Sequence, residues 1–129
     1  MPGLNTGIRF DNNIINLKEM SESEIRPELR GLLVDGEIIA AQYKTIRDQV
    51  IFTDKRIIVA NVQGLVGKKV SYFSYPYSKI QFYGVETAGL IDIDCELVAA
   101  FNDGTVLQLD FKSRVDIKQI STLISKYIL

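Results

Sequence analysis

Two hydrophobic periods stand back to back in residues 91–128. From 91 to 101 every odd position is apolar or small: Ile91, Ile93, Cys95, Leu97, Ala99 and Phe101. The early even positions are Asp92, Asp94 and Glu96, so the period is two and one face meets water. After Asn102-Asp103-Gly104, a second strand over 105–111 places Leu107, Leu109 and Phe111 on one side. A helix then starts at Ser113, with apolar residues at Ile117, Ile120, Leu123, Ile124, Tyr127 and Ile128. A long hairpin followed at once by an amphipathic helix predicts the closing element of a small β-barrel plugged by that helix.

The hairpin register follows from side-chain matching. A two-residue Asp103-Gly104 turn sets Glu96 against Phe111, whereas a three-residue Asn102-Asp103-Gly104 loop pairs Cys95 with Phe111, Leu97 with Leu109 and Ala99 with Leu107. Directly paired residues share a face, so the second register gathers the apolar residues together. Gly104 supplies the left-handed position such a loop requires. Ser113 and Asp116 have the spacing of a capping box for the helix, and Arg114, Lys118 and Lys126 lie off its apolar stripe.

Earlier in the chain, residues 1–20 are polar and irregular and read as an N-terminal extension, with a short helical turn over 14–20. The remainder, 21–129, reads as one domain. Ser21 and Glu24 form a second capping-box pattern, and Ile25, Leu29, Leu32 and Leu33 recur at helical spacing. Pro27 requires this N-terminal helix either to start near it or to kink there; the helix ends before Asp35-Gly36. From Glu37 the texture becomes β-branched and aromatic, predicting strands at 37–46, 49–53, 56–62, 69–75, 80–86, 91–101 and 105–111. No helical stretch separates any pair of strands, so the expectation is an antiparallel sheet in meander order.

Composition excludes more than it specifies. The 129 residues suffice for one domain, and 47% apolar with 24% charged is ordinary for a globular one. Net charge is −1 and the sequence pI is about 5.4, so no bulk positive field favours nucleic acid. The absence of histidine removes Ser–His and Cys–His nucleophile pairs and His-ligated metals. A single cysteine excludes an intrachain disulfide and fits a reducing compartment. With no signal-peptide pattern and no apolar run long enough to span a bilayer, the expectation is a cytoplasmic protein.

Candidate chemistry resolves mostly to structure. Asp92, Asp94 and Glu96 lack the glycine a calcium loop needs at its sixth position, which is Leu97. Gly64-Leu65-Val66-Gly67-Lys68-Lys69 has the wrong spacing for a phosphate loop and reads as a hairpin loop with solvated lysines. Cys95 falls on the inward row and reads as core. Basic residues at Lys44, Arg47, Lys55, Arg56, Lys68 and Lys69 sit near strand ends, where convergence would make a modest anion site. Tyr72, Tyr75, Tyr77 and Tyr83 crowd one stretch, as interface patches and filled cores both do. No catalytic residues, cofactor or metal site are expected.

A series of short motifs adds a family resemblance. Gly36-Glu37, Arg47-Asp48, Phe52-Thr53-Asp54-Lys55-Arg56, Tyr75-Pro76-Tyr77-Ser78-Lys79-Ile80, Val85-Glu86-Thr87-Ala88-Gly89 and Glu96-Leu97 occur in that order. From about Ile25 to Leu129 the chain resembles the bacterial pleckstrin-homology-like (PH-like) family in this wording; residues 1–20 lie outside the match. The resemblance implies a mainly β fold: a seven-stranded antiparallel PH-like barrel or sandwich capped by one C-terminal α-helix, here with a short N-terminal helix. It further implies no enzymatic activity and assembly into cyclic rings, five-fold for single-domain members.

In such rings neighbouring strands meet to form a polar surface for other proteins. Arg47, Asp48, Lys55, Arg56 and Glu86 are the polar members of the matching motifs and are the residues expected on that surface. The alternative function is peripheral binding to anionic membrane lipid through Lys44, Arg47, Lys68 and Lys69. Fold similarity alone does not carry a ligand with it.

Overall fold

The computed structural model describes residues 13–63, 69–87, 94–112 and 117–129. The strands are β1 (Asn13–Glu19), β2 (Ile39–Lys44), β3 (Gln49–Thr53), β4 (Arg56–Gln63), β5 (Lys69–Pro76), β6 (Ile80–Thr87), β7 (Cys95–Phe101) and β8 (Val106–Phe111). A single helical turn, α1 (Pro27–Arg30), follows β1, and α2 (Ile117–Ile128) ends the chain.

The last hairpin has the three-residue loop. Cys95 faces Phe111, Leu97 faces Leu109 and Ala99 faces Leu107. Gly104 has φ +90° and its N–H donates to the Phe101 carbonyl. All six residues of those pairs are buried, as a shared inward face requires. On α2, Ile120 and Ile124 are buried in the same core, with Leu123, Tyr127 and Ile128 packed against it. The Ser113–Asp116 capping box lies outside the described residues, as do Asp92 and residues 64–68.

Two expectations are corrected. The sheet has eight strands among the described residues, in the order β5-β4-β3-β2-β1-β8-β7-β6, and it is mixed, not a seven-stranded antiparallel meander. The additional strand is β1, in the stretch expected to be a helical turn. It runs antiparallel to β2 and parallel to β8, joining the two halves of the sheet. Its buried residues, Ile14 and Leu17, are three apart, which mimics a helical period. The pairing with β8 slips between them, and Asn16 there has φ +65°. The bulge adds a residue, so two inward side chains stand three apart on an extended chain.

The N-terminal helix also differs. Ser21 and Glu24 do form the capping box, with the Ser21 N–H donating to Glu24 Oε2 at 2.9 Å. The box caps only a 3-10 turn, Glu22–Glu24, and α1 begins afresh at Pro27. The proline has no N–H to contribute to a continuous helix and sets φ for a first helical position, so it breaks the segment. This segment still buries Met20, Ile25 and Leu29 against Ile51, Ile58 and Ala60 on the outer face of β3 and β4. The inner faces of β3 and β4 bury Val50, Phe52, Ile57 and Val59 in the main core. Both faces of these two strands are therefore covered, which explains their unbroken apolar runs.

The sheet is rolled but open. Among the described residues β5 and β6 end the strand order, each with one hydrogen-bonded neighbour, and only the short turn Tyr77–Lys79 separates them in sequence. α2 packs against that turn and β6, with the Tyr77 and Tyr127 rings stacked at 5.7 Å. No helix among the described residues is long and apolar enough to cross a membrane.

Replacing Asn16 with valine should cost about 1–2 kcal/mol, because a β-branched residue is strained at positive φ. Asn16→Gly should be close to neutral. Urea unfolding of both variants checks this; equal midpoints for the two would remove the bulge as the cause.

Candidate functional site

The polar residues gather at the two ends of the rolled sheet. At one end, the β3–β4 turn is tied to the segment before β2. Arg56 grips Glu37 with two parallel bonds, Nε to Oε2 and Nη2 to Oε1, both at 2.9 Å. Its Nη2 also donates to the Leu32 carbonyl and its Nη1 to Ser74 Oγ. The buried Thr53 hydroxyl donates to Glu37 Oε2 at 2.6 Å and accepts the N–H groups of Lys55 and Arg56. Tyr77 donates its hydroxyl to the Thr53 carbonyl at 2.7 Å.

The Glu37 side chain is 0% exposed and that of Arg56 20%. Burial pushes the Glu37 carboxyl up, but the Arg56 guanidinium, the Thr53 hydroxyl and the Val34 N–H together hold it down at about 2. This cluster binds parts of the chain to each other, so Arg56 is committed to the fold. Lys55, next to it in the turn, is exposed.

The opposite end is shaped by the β2–β3 turn. Asp48 Oδ1 accepts the Val62 N–H at 2.9 Å, fastening that turn to the end of β4. Lys69 pairs with Gln63 nearby on β5. Beside the turn, β1 parts from β2 and leaves a groove of about 890 Å³. Lys18, Lys44, Arg47 and Lys112 line it, together with Ile15 and Ile46. Lys44 is ion-paired with Glu24, and Lys112 with Asp94 at 3.2 Å.

Next to the groove three carboxylates stand in cross-strand register, Glu86 opposite Glu96 and Glu96 opposite Asp110. Burial, the hydrogen bond with Glu96 and the charges of Glu96 and Asp94 raise Asp110 to about 6 against the pull of Lys112. Glu96 is lowered by its bonds to Asp110 and to Gln108 Nε2, so Asp110 holds the proton that the pair shares. Burial pushes the Cys95 thiol up, with Asp94 and Asp110 adding to it, so this cysteine is a core residue and not a thiolate. Among the described residues no group of three or more His, Cys, Asp or Glu side chains could hold a metal ion.

The five residues expected on a protein-binding surface are thus divided between the ends. Arg47, Asp48 and Glu86 share the groove end; Lys55 and Arg56 share the other. Of the lipid set, Lys44, Arg47 and Lys69 lie at the groove end and Lys68 is outside the described residues. Lys18, Lys112 and Asp110 were not singled out from the sequence. Lys18 belongs to a strand disguised by its bulge, while Asp110 and Lys112 acquire their neighbours only through pairing with β7 and β1.

Comparison with known proteins agrees with this architecture. A family model described as Bacterial PH domain matches residues 9–128. The uncharacterized protein YjqA of Bacillus subtilis is 41% identical over 88 residues, covering 68% of this chain and 70% of YjqA. A pleckstrin-homology-domain protein from Shewanella loihica superimposes with a TM-score of 0.78 at 38% identity, over 89% of this chain and 99% of that one. A pleckstrin homology domain from Shewanella amazonensis gives 0.62 at 41% identity, over 79% and 83%.

Removing Arg56 should be costly, because it strands a buried carboxylate. Arg56→Ala is expected to lose about 3 kcal/mol, the low end for a broken buried pair because the arginine keeps some exposure. Chemical denaturation measures it; a loss under 1 kcal/mol would contradict the network's role. Glu37, depressed from 4.5, contributes stability that is present above pH 4.5 and lost as pH falls toward 2. Asp110, raised from 3.8, contributes stability that is full below pH 3.8 and lost as pH rises through about 6. Denaturation midpoints should therefore peak near pH 4.5, and Asp110→Asn should flatten the limb between pH 5 and 7. A limb unchanged in that variant would assign the proton elsewhere.

Proposed function

The chain belongs to the bacterial PH domain family, and from that premise we propose that it is a non-catalytic interaction module that assembles into a cyclic homo-oligomer of five protomers. The observation that carries this reading is the open sheet. β6 is an eight-residue edge strand with no lysine or arginine within it, and its Phe82 is 64% exposed. Edge strands in isolated domains are ordinarily blunted by charge, proline or a covering element. An edge whose one charged residue, Glu86, stands near its far end, and whose aromatic ring protrudes, favours a protein neighbour.

The other free edge, β5, is a different surface. Joining β5 of one protomer to β6 of the next is a head-to-tail contact, which closes into a ring when the rotation between protomers is an integral fraction of a turn. The polar surface for other proteins would then be drawn from the strand ends, with Arg47, Asp48 and Glu86 on one rim and Lys55 on the other.

The lipid reading has its own observation, an exposed Ile46 between Lys44 and Arg47 at one hairpin tip. The carboxylate row at that end opposes it, since a flat anionic bilayer would meet Glu86 and Glu96 together with the lysines.

Native mass spectrometry at micromolar concentration should show a closed oligomer. Phe82→Glu, on an exposed position, should give a folded monomer. A wild-type chain that is strictly monomeric under these conditions would overturn the ring.

A further inference from the structure

The groove beside β1 is a fork in the sheet. β1 pairs with β2 only at Lys18↔Lys44 and Glu19↔Tyr43, and then the β2–β3 turn swings away. From Asn13 to Leu17 the chain continues along β8 on its other side. That side of the fork therefore presents strand backbone with no ladder partner in β2. An extended chain laid there would find the outward donors and acceptors of β1 on either side of the bulge at Asn16.

The walls select what kind of chain. Lys18 on β1 and Arg47 on the turn bring positive charge from two elements, and Lys112 after β8 adds a third cation that already pairs with Asp94 at 3.2 Å. Among the described residues lining the groove the one acidic side chain, Asp48, is already bonded to the Val62 N–H. Ile15 and Ile46 project from opposite walls, 53% and fully exposed, and offer aliphatic contact between the charges. We propose that this fork is a docking site for an extended peptide segment with alternating acidic and aliphatic residues. It adds a strand to the side of β1 that no described strand pairs beyond Lys18, while its carboxylates meet Lys18, Arg47 and Lys112.

A membrane fits these observations less well than a single chain does. Headgroups make no use of an unpaired strand backbone. The neighbouring row of Glu86, Glu96 and Asp94 shares Ile15, Asn16 and Lys112 with the groove wall, so a broad anionic surface meets both signs at once. A peptide one strand wide lies within the basic groove alone.

The proposal rests on the reading of the chain as an interaction module but not on its oligomeric state. The test is fluorescence anisotropy with a labelled short peptide of alternating glutamate and valine, at low and high salt. The same peptide methylated on alternate backbone nitrogens, and vesicles of phosphatidylglycerol, serve as competitors. Expected are binding that weakens with salt, a loss of about tenfold or more in Kd for Lys18→Glu and for Arg47→Glu, and no competition from the methylated peptide. Thermal melts confirm that both variants remain folded.

Absence of binding at low salt overturns the proposal. So does equal competition by the methylated peptide, which would show charge without strand pairing. Displacement by vesicles with no effect of methylation assigns the groove to lipid. Native masses recorded on the same samples separate the two ideas. A monomer that binds the peptide removes the ring and keeps the docking site, and a ring that ignores the peptide removes the docking site alone.

Discussion

The Glu37 carboxylate is the point on which this fold hangs. It lies out of solvent before β2 begins, and it holds Arg56 of β4 and Thr53 of β3 at the same time. Through Arg56 the segment 32–37 is bound to β5 at Ser74, and through Thr53 the β3–β4 turn reaches Tyr77. Tyr77 in turn stacks on Tyr127 of α2. One buried charge pair thus registers the covering segment, the sheet and the closing helix against each other. Such a pair adds less net stability than its Coulomb energy suggests, but it is expensive to break.

That arrangement gives physical meaning to the motif Phe52-Thr53-Asp54-Lys55-Arg56, whose side chains first look like surface chemistry. Thr53 and Arg56 serve the fold; Asp54 exchanges two bonds with Ile38, through its N–H and its Oδ1. Only Lys55 among the polar members is turned outward. A polar residue in a recognisable motif is therefore not by itself a contact residue, and the interaction surface has to be sought where polar groups are left facing solvent.

The hairpin 95–111 was legible because its period is strict and its loop chemistry unambiguous. β1 was not, because a single residue in the left-handed conformation shifts its phase and gives Ile14 and Leu17 a helical spacing. The Ser21 box was legible as a cap, yet what it caps is set by Pro27 six residues later. The groove and carboxylate row were hidden for another reason. Their members come from the first, second, sixth, seventh and eighth strands, and only the parallel pairing of β1 with β8 brings them side by side. Local pattern carries elements well and carries such long-range juxtapositions hardly at all.

That parallel pairing also fixes an order of events as the chain leaves the ribosome. β1 is made well before its partner β8, which is about 95 residues further on, as Asn13 beside Gln108 shows. Strands β2 to β5 can zip in sequence as they emerge, and β6 to β8 can do the same. The two halves cannot share a sheet until the last hairpin is complete and the waiting first strand slides between them. Loop closure over that span is slow compared with hairpin formation, so this step sets the pace of folding. Until then β2 and β8 are two additional open edges, and the partly folded chain is most exposed to wrong partners in that interval.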